Sequence, residues 1–201
     1  GGFVSPGFAT GSDEIARSAG PDTARKLHRL SIEGVDFIRD TIRDLGINDA
    51  QTRPGITSVL RYDDGSALKS YRDTLLNDYQ YQLDYLETDE IRAVLKSKRY
   101  FQGLRDGRSF HMHPLNYLRA MALEIERLGG RIHESSAAIS TNFSRPEKYV
   151  QTSAGSVKAR QVVFTTGGYT GKLEPRLRRA FLPIATYVMV SEQAPDLIAT
   201  A

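Results

Sequence analysis

A short, apolar, β-branched run, Gln161-Val162-Val163-Phe164-Thr165, breaks off in Thr166-Gly167-Gly168-Tyr169. Such a run predicts a strand buried on both faces, the kind a parallel sheet contains. Glycine lacks Cβ, so a ligand can lie on bare peptide groups where the strand ends, and positive φ costs little there. Ligands of open α/β sheets gather at the carboxyl ends of strands. Taken alone, two glycines after a strand are more often only a tight turn. Two phosphate-binding motifs fail here. Gly167 to Leu173 is one residue short of a P-loop, and Leu173 stands where Ser or Thr would hold magnesium. The dinucleotide fingerprint G-x-G-x-x-G occurs nowhere in the 201 residues.

The clearest helix lies between Asp22 and Leu45. Ala24, Leu27, Val35, Ile38, Ile42 and Leu45 recur at helical intervals, Pro21 and Asp22 suit the start, and Gly46 closes it. Ile56 to Tyr62 reads as a strand ended by Asp63-Asp64-Gly65, and Leu68, Tyr71, Leu75 and Tyr79 make a second amphipathic helix. Leu83 to Leu86 is extended, and Thr88 caps a small helix with Asp89 and Glu90 in its first turn. Tyr100–Leu104 and Ser109–Met112 flank Asp106-Gly107 as the arms of a hairpin. Pro114 opens a helix carrying Leu115, Leu118, Ala122 and Ile125, which Gly129-Gly130 stops. Arg131-Ile132-His133 resumes as a strand. Ala138–Phe143, Lys148–Thr152 and Ser156–Lys158 then form a three-stranded antiparallel meander.

Composition bounds the function classes. With 40% hydrophobic and 25% charged residues the chain is neither collagenous nor of low complexity. Surface scaling predicts roughly 9,400 Å² exposed when folded against roughly 32,000 Å² unfolded, enough burial for one domain or two small lobes. A net charge of +3, from 27 basic and 24 acidic residues, is too even to indicate nucleic acid. No run of 18 apolar residues exists, so no membrane helix is expected. Without Cys there is no disulfide, zinc thiolate or thiol nucleophile, which fits a cytoplasmic protein. No leader is legible at Gly1-Gly2-Phe3, and a chain opening there without Met reads as cut from something longer.

The order helix, Gly-Gly, strand, meander, apolar strand, Thr-Gly-Gly resembles the central part of two-domain FAD-dependent amine oxidoreductases. The nearest resemblance is to the D-amino-acid oxidase-like family, with its sarcosine, glycine and γ-glutamylputrescine oxidases, and to the last branch most of all. Gly1-Gly2-Phe3-Val4-Ser5 resembles the end of the Asn-Gly-Gly segment that passes the flavin ring, and His113-Pro114-Leu115-Asn116-Tyr117 resembles the family's helix opening. Val162 to Tyr169 resembles its apolar strand and Ala-Thr-Gly turn, with Thr165 for Ala. Phe181 to Tyr187 resembles the strand re-entering the substrate domain, and Ser191-Glu192 follows suitably.

The resemblance implies a mixed α/β fold: a partial, Rossmann-like FAD-binding lobe with its β-meander, and a partial substrate domain built on an antiparallel sheet. Residues 1–52 and 111–182 would belong to the first, 53–110 and 183–201 to the second. It implies FAD as cofactor. Thr166, Gly167 and Gly168 would lie by the adenosine and pyrophosphate, Ala138 at the adenine edge, and Gly1 and Gly2 beside the isoalloxazine. Phe3, Phe8 and Tyr187 would face the substrate, a small-molecule amine. In the implied reaction a C–H bond beside the amine nitrogen gives hydride to the flavin, the imine hydrolyses, and oxygen is reduced to hydrogen peroxide. The family's opening strand with G-x-G-x-x-G is missing, as are its later strands. The chain is therefore expected to be an internal piece, inactive alone, that binds FAD weakly or not at all and associates as a homo-oligomer through uncovered core. This flavoenzyme reading is tied to Gln161–Thr165 lying in a parallel sheet.

Competing readings are weaker. His111 and His113 have the spacing of a metal pair, but His28 and His133 fall on other elements, so no metal is expected. Pro114 instead makes His113 an extended helix-start residue. No G-x-S-x-G elbow supports a hydrolase triad. Lys172, Arg176, Arg178 and Arg179 read as a solvated basic face, and Asn142-Phe143-Ser144 means little without a leader. The alternative class is a non-catalytic α+β binding module that keeps this architecture without cofactor.

Overall fold

The computed structural model describes residues 2–144, 146–182, 184–187 and 192. It is a mixed α/β chain divided into two compact units, one running to Gly129 and the next starting at Gly130.

The first unit is built on one strand. β4 (Gly103–His111) pairs antiparallel with β2 (Arg53–Val59) along one edge, and with β3 (Asp84–Leu86) and β1 (Phe3–Val4) along the other. Helix α1 (Ser12–Ala19) leads through Gly20 into α2 (Pro21–Asp44), with Pro21 in the first turn as expected. Gly46, at φ +63°, ends α2: its N–H donates to Arg43 O and that of Ile47 to Ile42 O, the paired bonds of a Schellman cap. Val35 packs on Val4 and Phe110, with Ile38, Ile42 and Met112 around them, which fixes α2 to one face of the sheet. α3 (Gly65–Tyr79) is capped by the Asp64 carboxylate, which accepts from Ala67 N–H at 3.2 Å. α4 (Thr88–Leu95) starts one residue earlier than expected of a Thr88 cap. Glu87 is the cap, in a box with Glu90, whose carboxylate accepts from Glu87 N–H at 2.8 Å. His113 is extended and accepts from Asn116 N–H to open α5 (Pro114–Arg127).

The hairpin expected at Asp106-Gly107 is not formed, because both of its arms have other partners. β4 runs unbroken, and the turn residues make a bulge instead. Pro54 pairs with Phe110 and Ile56 with Asp106, so Gly55 alone faces Gly107, Arg108 and Ser109. The Asp106 carboxylate organises the surplus. It accepts from the N–H groups of Arg108 and Ser109, from Ser109 Oγ, and from Tyr81 OH at 2.7 and 2.8 Å.

In the second unit the meander appears as read: β5 (Ala138–Asn142), β6 (Lys148–Thr152) and β7 (Ser156–Ala159), antiparallel in that order. Three expected strands are absent among the described residues. Residues 131–133, 161–165, and 181, 182 and 184–187 have no regular structure. Among the described residues none of them has a ladder partner, and a lone β-branched run has nothing to hold it extended. No parallel pairing occurs among the described residues. The accessible surface is 15,593 Å², well above the sequence expectation, since apolar side chains such as Leu118, Leu128 and Val163 stay exposed. No helix among the described residues is long and apolar enough to cross a membrane.

Two predictions follow from the first unit's interior. The buried His28 ring stands between Tyr79 and Tyr81, with centroids at 5.0 and 5.3 Å, and neither nitrogen has a partner among the described residues. Burial holds its pKa below the ordinary 6.5. Below about pH 6.5 the unfolded chain takes up a proton that the folded one refuses, so stability falls with pH. His28→Phe should flatten this acid limb of stability in urea unfolding across pH 5–8. The second concerns Tyr81, whose phenol burial and Asp106 push far above its usual range. Tyr81→Phe should lower stability by about 1–2 kcal/mol, measured by urea unfolding at pH 7.

Candidate functional site

In the second unit, the apolar run empties into a short helical turn, Gly167–Thr170. Thr166 Oγ1 and Thr170 Oγ1 are 2.5 Å apart, and Thr170 Oγ1 donates to Gly167 O at 2.9 Å, so two hydroxyls brace the turn. Gly167 has φ +54°, and a Cβ built on it would meet nothing within 4 Å. Its peptide is therefore bare and open. Beyond the turn, Thr170, Lys172 and Leu173 meet Ala138–Thr141 of β5 across a cleft of about 430 Å³. The structure thus brings Ala138 to the segment that Thr166, Gly167 and Gly168 lead into. Such a cleft fits the polar, anionic half of a dinucleotide: the hydroxyl-bearing Ser140, Thr141 and Thr170, and a cation in Lys172. Tyr187, read as a substrate residue, is 93% exposed and belongs to no strand.

Sequence reasoning missed Thr170 and Lys172 as cleft residues. In sequence Lys172 runs with the arginines of the following helix, α6 (Pro175–Ala180), as one basic face. The available signal was local: a Thr four residues after Thr166 reaches back across one helical turn.

In the first unit, Gly1 lies outside the described residues. Gly2, at φ +98°, runs against the chain itself: its carbonyl accepts from Met112 N–H at 2.9 Å, and a Cβ would overlap the Met112 carbonyl oxygen. Glycine is required there by packing. Phe3 stands opposite His111 in the sheet, with ring centroids 6.4 Å apart, and is 72% exposed. Phe8 is half-exposed on the loop before α1, which Gly7 N–H ties to Ser31 Oγ at 2.9 Å.

With this geometry in hand, similarity to known proteins becomes informative. The model of the FAD dependent oxidoreductase family, DAO, matches residues 1–201. γ-Glutamylputrescine oxidoreductase of Escherichia coli K12 is 33% identical over 201 residues, covering 99% of this chain and 47% of its own length. The chain therefore spans about half the length of that relative. Among solved structures, L-amino acid deaminase from Proteus vulgaris, with its specific insertion deleted, superposes with a TM-score of 0.64 at 18% identity, over 88% of this chain and 45% of that one. Glycine oxidase from Geobacillus kaustophilus gives 0.63 at 15% identity, over 76% and 43%. These matches also correct the tie between ancestry and a parallel strand at 161–165: the family match includes that stretch although no strand forms there. The chain belongs to the FAD dependent oxidoreductase family.

Proposed function

We propose that this chain supplies part of an FAD-dependent oxidoreductase that oxidises the C–N bond of an amine or amino acid. The observation that carries the reading is the cleft between Ala138 and Lys172, lined also by Thr170, the last residue of the turn that Gly167 opens. Similarity to relatives whose names give their substrates as γ-glutamylputrescine, glycine and L-amino acids supports it. Bound flavin supplies the hydride acceptor. The chain's own residues bind and orient. Thr166, Gly167, Gly168 and Ala138 would hold the adenosine and pyrophosphate through main-chain groups, while Lys172 would offset phosphate charge. By the family resemblance, Gly1 and Gly2 would run beside the ring system, and Phe3, Phe8 and Tyr187 would face the amine. In this division residues 1–52 and 111–182 serve the cofactor, and 53–110 with 183–201 serve the substrate. The substrate loses a hydride and a proton to become an imine, water cleaves the imine, and oxygen takes the two electrons to give hydrogen peroxide.

The chain lacks G-x-G-x-x-G, so its own hold on FAD is weak. Titrating FAD into the chain should quench flavin fluorescence saturably in the micromolar range or above. Gly167→Val, which fills the open peptide and strains φ, should weaken this about tenfold or more, whereas Gly155→Val on the β6–β7 turn should not. Flavin retained through gel filtration would contradict weak binding. Equal quenching by the Gly167 variant would remove the turn from the site.

A further inference from the structure

The second unit holds another cavity, of about 470 Å³, on which the apolar run, the β5–β6 hairpin and α6 converge. Side chains of the run alternate although no ladder holds them. Val162 and Phe164 are half-buried and line the cavity, whereas Val163 and Thr165 are exposed. Phe143, edge-to-face with Phe164 at 5.9 Å, and Leu177 of α6 complete an apolar floor. The charged residues of the lining divide into two kinds. Lys148 Nζ donates to Phe143 O at 3.0 Å, and the Glu174 carboxylate caps α6 by accepting from Arg176 N–H at 3.1 Å, so both serve the chain itself. Arg160, directly after β7, and Arg176, in the first turn of α6, are exposed, and neither guanidinium has a hydrogen-bond, ion-pair or ring partner among the described residues. Lys158 of β7, by contrast, pairs with Glu147 at 2.6 Å. The cavity therefore joins an apolar floor to two unanswered cations.

We propose that this cavity binds a small molecule with an apolar body and one anionic group. The body lies on Phe143, Val162, Phe164 and Leu177, and Arg160 and Arg176 hold the anion. Guanidinium N–H groups grip an oxyanion in paired, charge-assisted bonds, which are stronger than bonds between neutral groups. A volume of this size is that of a small-molecule pocket, with a mainly apolar lining and a few polar groups that orient the ligand. A ligand seated there would give Val162 and Phe164 the apolar neighbour that the ladder of β5, β6 and β7 does not. The site shares no residue with the cleft of Ala138 and Lys172, so it stands apart from the flavin reading.

The probes are 4-phenylbutanoate and 4-phenylbutan-1-ol, alike in body and different in charge, titrated into the full chain and followed by NMR at the Phe164 ring and the Val162 methyls. The acid should shift both saturably and bind about tenfold or more tighter than the alcohol. Arg160→Gln and Arg176→Gln should each weaken the acid about fivefold or more and leave the alcohol unchanged. Arg178→Gln, on the same helix but outside the cavity, should alter neither. Equal binding of acid and alcohol, shifts that do not saturate, or acid binding unaltered in both Arg160→Gln and Arg176→Gln would overturn the site. Displacement of the acid by FAD would overturn it as a separate site and make the cavity part of the flavin's. Binding to phosphatidylglycerol vesicles without a saturable shift by the acid would replace it with a membrane contact.

Discussion

Every strand of the larger sheet is hydrogen-bonded to β4, so the first unit depends on that one ladder. Its weakest point is also its most heavily braced. A bulge leaves backbone groups without cross-strand partners, and buried N–H groups without partners are costly. Asp106 supplies the missing acceptor for two of them, while its charge is met by the hydroxyls of Ser109 and Tyr81. The carbonyl of Arg108 is taken by the Arg39 guanidinium, which also lies 5.2 Å over the Phe110 ring, and Asp36 accepts from both Arg39 and Arg108. The bulge is thereby tied to α2 by charge on one side and to Tyr81 by hydrogen bonds on the other. Val4, Phe110 and Val35 then close the apolar contact, each worth about 1.5–3 kcal/mol of burial.

The second unit has no equivalent. Among its described residues no apolar side chain is fully buried, and the Phe143–Phe164 edge-to-face contact is its clearest apolar pairing. A three-stranded meander needs an apolar face covered by something, and Ile139, Val157 and Val163 remain exposed. That explains why Gln161–Thr165 is not a strand. Its composition suits one, but extended structure is stabilised by neighbours, and the ladder of β5, β6 and β7 ends without including it.

Helices with both a stripe and punctuation were legible. Pro21, Asp22 and Gly46 bracket α2 within a residue, and Pro114 with Gly129 brackets α5, because caps are local chemistry that tertiary contacts rarely override. The meander was legible for the same reason, from its turns. Failures came where the answer lay in partners far along the chain. Asp106-Gly107 has the composition of a hairpin turn, but whether it turns the chain or bulges a strand depends on β1, β2 and β3, more than fifteen residues away in each case. His28 entered the sequence reading only as a histidine set apart from His111 and His113, and nothing near it in sequence announces Tyr79 and Tyr81. In the candidate site, the family resemblance pointed to Ala138, which lines the cleft, and to Gly167, which opens the turn leading into it, whereas the role of Thr170 as the brace of the turn needed coordinates.

The two glycines singled out from the sequence show how a packing requirement differs from a binding one. Both have positive φ, Gly2 just before β1 and Gly167 just after the apolar run. At Gly2 the space a Cβ would need is filled by Met112 and Pro114 of the same chain, so the residue is explained by the fold and needs no ligand. At Gly167 nothing among the described residues lies within 4 Å of that position, and the turn is braced by Thr166 and Thr170. A glycine whose absent side chain makes room for the protein is structural. One whose absent side chain meets nothing in the protein leaves main chain open, as Gly7, Gly20, Gly46 and Gly129 do too; at Gly167 the open turn is in addition braced by the Thr166 and Thr170 hydroxyls.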